Sequence, residues 1–129
     1  MREDSIDDVV NIAEEMIARN GICLLLFDVI GSQRLSSERR YLLQKELREM
    51  MDDLNSNFDS YMPEHDIAVY GRKEKGFTHL IGDGSWAGIS EASVIPKIIG
   101  YQHERYPEIP LRWGVAEDGY DRENTRIVK

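Results

Sequence analysis

Two aspartates stand in settings unlike those of the other acidic residues in this chain. Asp28 follows directly on the apolar run Ile22-Cys23-Leu24-Leu25-Leu26-Phe27 and leads through Val29-Ile30 to Gly31-Ser32, while Asp83 stands between glycines in Gly82-Asp83-Gly84. Each has an ordinary explanation when taken alone. Asp28 suits the turn after a buried strand, and Asp83 suits the Asp-Gly turn of a hairpin. Together they would be less ordinary, because two carboxylates held close raise each other's pKa unless a cation intervenes.

Other constellations are weaker. His65, His79 and His103 lack metal-ligand spacing and read as surface or satisfied histidines. No Ser/His/Asp or Cys/His arrangement stands out, and Gly82-x-Gly84 lacks the helix and acidic partner of a dinucleotide fingerprint. Cys23, the one cysteine, excludes an internal disulfide and reads as a buried, inert thiol in a protein of the reducing cytoplasm.

The formal net charge of −8 argues against a nucleic-acid or anionic-membrane surface, which needs clustered Lys and Arg. A nucleotide remains compatible with it if a divalent cation neutralises the phosphates locally. The N-terminus opens on charges without a signal-type apolar core, and no apolar stretch approaches bilayer length, so neither export nor membrane insertion is expected. At 129 residues the chain has the size of a single domain with a real core.

The elements that must position the aspartates can be read from spacing. Ser5 and Asp8 form a capping-box-like start, and Ile6, Val9, Val10, Ala13, Met16 and Ile17 recur at helical intervals up to Asn20-Gly21. The run 22–27 is apolar without alternation, which predicts a central strand covered on both faces, by the first helix or by a second subunit. Ser36 and Ser37 cap a long helix with the stripe Leu43, Leu47, Met50, Leu54 and Phe58.

After Pro63, 67–70 is strand-like, Lys73-Glu74-Lys75-Gly76 is a polar turn, and 77–81 is strand-like again; 86–89 is a returning strand if the hairpin turns at 82–84. Turns at 73–76 and at 82–84 therefore compete. A helix from about Ser93 tolerates Pro96 in its first turn and stops before Pro107; Leu111 to Ala116 is a last strand. The core spans 22–118, and a charged tail over 119–129 carries little patterning.

After the leading helix the order is strand, helix, strand, strand, helix, strand. This predicts an α+β domain, a ferredoxin-like βαββαβ sandwich with an extra N-terminal helix. In it the first and third strands are central neighbours, so the end of the first strand meets the nearby hairpin.

Three segments then resemble a known group. Phe27-Asp28-Val29-Ile30-Gly31-Ser32 resembles the first-strand motif of class III nucleotide cyclases and, more closely, the opening of the SatD family. His79-Leu80-Ile81-Gly82-Asp83-Gly84-Ser85-Trp86-Ala87 resembles the cyclase hairpin, in which a Lys usually stands where this chain has His79. Pro110-Leu111-Arg112-Trp113-Gly114-Val115-Ala116 resembles a later strand of these families. The general pattern is also similar to archaeal GTP cyclohydrolase III.

The resemblance implies a sandwich of the nucleotide-cyclase type that binds a nucleotide with Mg²⁺. By position it makes Asp28 and Asp83 metal ligands, joined by the carbonyl of Val29. Mg²⁺ suits such a set, since it prefers one or two carboxylates, water and substrate phosphate to a protein cage. Gly31 and Ser32 would let backbone N–H groups approach phosphate, Arg112 would face a triphosphate, and His79 would stand at the purine-selecting position.

The cyclase segment that supplies an Asn and an Arg for the transition state has no counterpart in these residues, so cyclase activity is not expected. Nucleotide hydrolysis or cyclohydrolase-type chemistry is the class implied for an enzyme. The alternative is a non-catalytic domain that self-associates as a homodimer through its sheet face.

Overall fold

The protein was analysed as a computed structural model, which describes residues 2–67, 71–117 and 125–128. A short strand β1 (Arg2–Asp4) precedes helix α1 (Ile6–Asn20), followed by β2 (Cys23–Val29) and helix α2 (Ser37–Asn57). Strands β3 (His65–Ile67), β4 (Arg72–Glu74) and β5 (Gly84–Ile89) lead to helix α3 (Ile95–Arg105), β6 (Leu111–Ala116) and β7 (Arg126–Val128).

The helices form where caps and apolar spacing place them. The Ser5 hydroxyl accepts from Asp8 N–H at 3.2 Å and Ser36 from Arg39 N–H at 3.3 Å, each satisfying a backbone donor that its helix leaves unpaired. Gly21 closes α1 by donating to the Ile17 carbonyl at 2.7 Å. Pro96 lies in the first turn of α3, where its missing N–H costs nothing.

Five strands form one mixed sheet in the order β1-β7-β6-β2-β5, in which only β1 and β7 run parallel. Cys23, Leu25, Phe27 and Val29 alternate onto one face of β2 and join a single core with Val9, Ala13 and Met16 of α1, Leu47, Met50 and Leu54 of α2, and Ile98 of α3. Phe27, Phe77 and Trp113 pack as an aromatic trio at its centre, with ring centroids 5.4 to 6.3 Å apart. Leu24 and Leu26 point to the other face and are also nearly buried, at 7% and 8% exposure. The apolar run is thus covered on both sides, with the helices on one side only.

Between α2 and β5 the chain takes the register that turns at 82–84, with Gly84–Ile89 as the returning strand, and not the one that turns at 73–76. The stretch 73–76 is not a turn: Arg72–Glu74 pairs antiparallel with His65–Ile67 in a separate two-stranded sheet. Gly76 is instead a point of close approach, since a Cβ there would fall 2.5 Å from the Asn55 side-chain oxygen. Asn55 accepts from Phe77 N–H at 2.8 Å and donates to the Phe77 carbonyl at 2.9 Å, which draws Phe77 into the core. The expected strand 77–81 is reduced to one bridge between Ile81 and Gly84, around a tight turn at Gly82-Asp83. Of the strand expected at 67–70, residues 68–70 lie outside the described residues.

The end of the chain is likewise more ordered than its patterning suggests. Arg126–Val128 inserts as β7 between β1 and β6, and Arg126 pairs with Asp4 at 3.2 Å. Residues 119–124 and 129 of the expected tail, with residue 118 before it, lie outside the described residues.

Helices α2 and α3 are tied by Asp53. Its carboxylate accepts from Tyr106 Oη at 2.7 Å, Tyr101 Oη at 2.9 Å and Asn57 Nδ2 at 2.7 Å. The Tyr106 bond, then those of Tyr101 and Asn57 with the nearby Arg105 charge, hold Asp53 below the usual carboxylate range; burial and Asp53 push the Tyr106 phenol up to about 12. Because the folded-state pKa of Asp53 is lowered, its contribution is complete above the unfolded value near 4 and is lost as pH falls through the folded one. Asp53→Asn is expected to cost about 1 kcal/mol at pH 7. Urea unfolding should show the difference shrinking as pH falls below about 4.

Candidate functional site

Strand β2 alternates Phe27 inward, Asp28 outward and Val29 inward, which leaves the Asp28 side chain exposed at the strand's end. Asp28 lies opposite Gly84 on β5 and opposite Arg112 on β6. Paired residues on neighbouring strands share a face, so Arg112 stands beside Asp28, while Gly84 presents no side chain. Among the described residues the side chains of Asp28 and Arg112 have no hydrogen-bonding or ionic partner.

The turn that carries Asp83 is fastened to the same strand end. Ile81 N–H donates to the Gly84 carbonyl at 2.9 Å, Gly84 N–H to the Ile81 carbonyl at 3.3 Å, and Val29 N–H to the Asp83 carbonyl at 3.1 Å. On the other side, Ile30 N–H donates to the Pro110 carbonyl at 2.9 Å. Gly31, at φ 76°, then turns the chain into a short 3₁₀ segment at Ser32–Arg34. This aims the buried Ser32 hydroxyl at Asp83, to whose Oδ2 it donates.

Val29, Ser32 and Asp83 are therefore in direct contact, with Asp28 one strand-pair away. The other carboxylate oxygen, Asp83 Oδ1, is buried and has no hydrogen-bond partner among the described residues. A shielded acceptor without a donor is unfavourable in a folded protein unless something else satisfies it. The donor set fits a hard divalent cation, since carboxylate oxygen is the ligand such ions prefer. Among the described residues no three His, Cys, Asp or Glu side chains cluster as a metal cage, so a cation at Asp83 would draw most of its ligands from water and from the oxygens of a bound molecule.

His79 belongs to a different cluster. Its Nε2 lies 2.8 Å from Glu74 Oε1, which also accepts from Arg72 Nε at 2.6 Å. The same Nε2 lies 2.8 Å from Arg72 Nη2, which can only donate, so whether Nε2 gives its proton to Glu74 or accepts from Arg72 is set by the ring tautomer. The His79 bond, with help from Arg72 and Thr78, holds Glu74 down to about 2. The arrangement pins residue 79 to β4. His65 is half-buried against Gly88, and among the described residues both its buried ring nitrogens lack a hydrogen-bond partner, a departure from the satisfied histidine expected; His103 is exposed. Burial pushes the Cys23 thiol up to about 12, in keeping with an inert group.

One residue of this neighbourhood was not singled out from the sequence. Arg40, the fourth residue of α2, reaches back to donate from Nη2 to the Ser32 carbonyl at 3.1 Å. A signal for it exists: Arg39-Arg40 places two cations in the opening turn of a helix, where the macrodipole disfavours positive charge. Ile30 and Ile81, 51% and 56% exposed, flank the site with apolar surface.

No model of a known protein family matches this chain, and a search of the curated proteins finds no match either. Among the described residues no helix is long and apolar enough to cross a membrane.

Proposed function

We propose that this chain is a Mg²⁺-dependent nucleotide-binding domain of the cyclase-like ferredoxin type. Asp28 and Asp83 hold the cation, and the Gly31-Ser32 loop and Arg112 meet the phosphates. The antiparallel order β6-β2-β5 supports the fold part of this reading, because it gives the first strand the two neighbours that a split βαβ unit requires. The observation that carries the site part is Asp83, held on one oxygen by Ser32 and left with a buried, unpartnered oxygen on the other.

A bound divalent cation supplies charge neutralisation and polarises phosphate oxygens. The protein's own task is to hold the two carboxylates at adjoining strand ends. It does so through the Val29–Asp83 backbone bond and the side-chain-free Gly84 beside Asp28. Arg112 places positive charge next to Asp28 and suits the outer oxygens of the same ligand.

Calorimetric titration with GTP and with ATP, each with and without Mg²⁺, tests the proposal. Binding that requires Mg²⁺ is the expected result. No metal-dependent heat at millimolar nucleotide would overturn it. Self-association through the sheet face is less favoured, because Leu24 and Leu26 are already covered within one chain. A dimer in light scattering that is indifferent to Mg²⁺ and to Asp28→Ala would reverse that preference.

A further inference from the structure

We infer that Arg40 is an anion-contacting residue of this site, and that the ligand it selects is a phosphate already carrying a divalent cation. The inference rests on the proposed function for the identity of the cation and adds the residue that faces the anion.

Arg40 is poorly explained by its own helix. It sits at the positive end of α2, where charge repulsion disfavours it. Among the described residues no carboxylate lies within ion-pair distance of it, and its Nε is buried without a hydrogen-bond partner. Its single described contact is the bond from Nη2 to the Ser32 carbonyl. A guanidinium carries five N–H donors in a fixed fork that matches the oxygens of a phosphate. Most of that capacity is unused here.

Ser32 joins this surplus donor to the surplus acceptor. Its carbonyl takes Arg40, and its hydroxyl holds Asp83, whose Oδ1 is likewise buried and unpartnered. One small hub thus has an unsatisfied cationic donor on one side and an unsatisfied anionic acceptor on the other. A free cation would answer only Asp83, and a free anion only Arg40. A metal-bound phosphate answers both. Because Nε is shielded, Arg40 must turn about its flexible stem to meet the ligand, exchanging the Ser32 carbonyl for a phosphate oxygen.

Inorganic pyrophosphate, with and without Mg²⁺, probes the anion, and Mn²⁺ alone probes the cation, both with the full chain. Arg40→Gln is expected to weaken Mg²⁺-pyrophosphate binding about tenfold or more, the loss of one charge-assisted contact. It should leave Mn²⁺ affinity within about twofold and the melting temperature unchanged, and Arg40→Lys should restore part of the loss. Wild-type affinity for pyrophosphate in Arg40→Gln would overturn the inference, as would parallel loss of Mn²⁺, pyrophosphate and thermal stability, the mark of a structural role.

Two further outcomes separate this inference from the reading beneath it. Wild-type binding of Mn²⁺ without pyrophosphate overturns the Arg40 assignment alone. Pyrophosphate binding that depends on Arg40 but not on metal supports Arg40 and overturns the Mg²⁺ reading.

Discussion

Asp83→Asn is expected to weaken Mn²⁺ or Mg²⁺ binding about 100-fold, corresponding to about 2.7 kcal/mol, while leaving the metal-free protein at least as stable as wild type. The two halves of this expectation have one cause. Asp83 is held in place by the Ser32 hydroxyl, and an asparagine oxygen can accept the same bond, so the turn survives the change. What is lost is the negative charge whose Oδ1 is buried and unpartnered. In the metal-free state that group is a cost, and removing its charge relieves it. With cation present, wild type gains stability by mass action, about 2.7 kcal/mol at a metal concentration 100 times Kd, and the variant does not.

Calorimetry gives the affinity, and urea unfolding with and without metal gives the stability difference. Equal metal affinity in variant and wild type would remove Asp83 from the site. A metal-free variant much less stable than wild type would make Asp83 an ordinary structural aspartate.

Gly84→Ala is expected to have the largest effect on the fold, a loss of about 3 kcal/mol together with most of the metal affinity. A Cβ at position 84 would lie 2.6 Å from the Phe27 carbonyl oxygen and 3.4 Å from the Asp28 Cβ. The first of these is backbone of the central strand and cannot swing aside as a side chain would. Relief requires β5 to move away from β2, and that movement separates Asp28 from Asp83. Gly100→Ala is the control with the opposite sign. Gly100 lies within α3 with nothing within 4 Å of an added Cβ, so alanine should stabilise by about 0.5–1 kcal/mol. Urea melts of both variants check this, and a Gly84→Ala protein as stable as wild type would mean that the strand end is not as closely packed as described.

The two aspartates show how far the residues alone carry the argument. The turn that carries Asp83 adjoins the strand end that carries Asp28 because β2 and β5 are neighbours, which follows from the order of elements, and the order follows from local signals: serine caps, the 3.6-residue stripe of α2, and an unbroken apolar run with a polar end. Such signals lie within a few residues of one another, so α1, α2, α3, β2 and β6 could be placed without knowing what they touch. Asp28 at the end of one strand and Asp83 in a glycine-bounded turn were legible for the same reason.

Tertiary contacts decided the rest. Three-residue strands such as Arg2–Asp4 and Arg126–Val128 are too short to show a period and exist because each supplies the other's partner across almost the whole chain. The turn between α2 and β5 was settled by Asn55, which grips Phe77 from another element and removes 73–76 from contention. His79 was drawn to Glu74, and Arg40 to Ser32, by hydrogen bonds that exist only after the loops close. Spacing determines which residues lie on one face of one element. Which faces and loops then meet depends on long-range packing, and it is there that the Ser32–Asp83 contact and the unpartnered oxygen beside it arise.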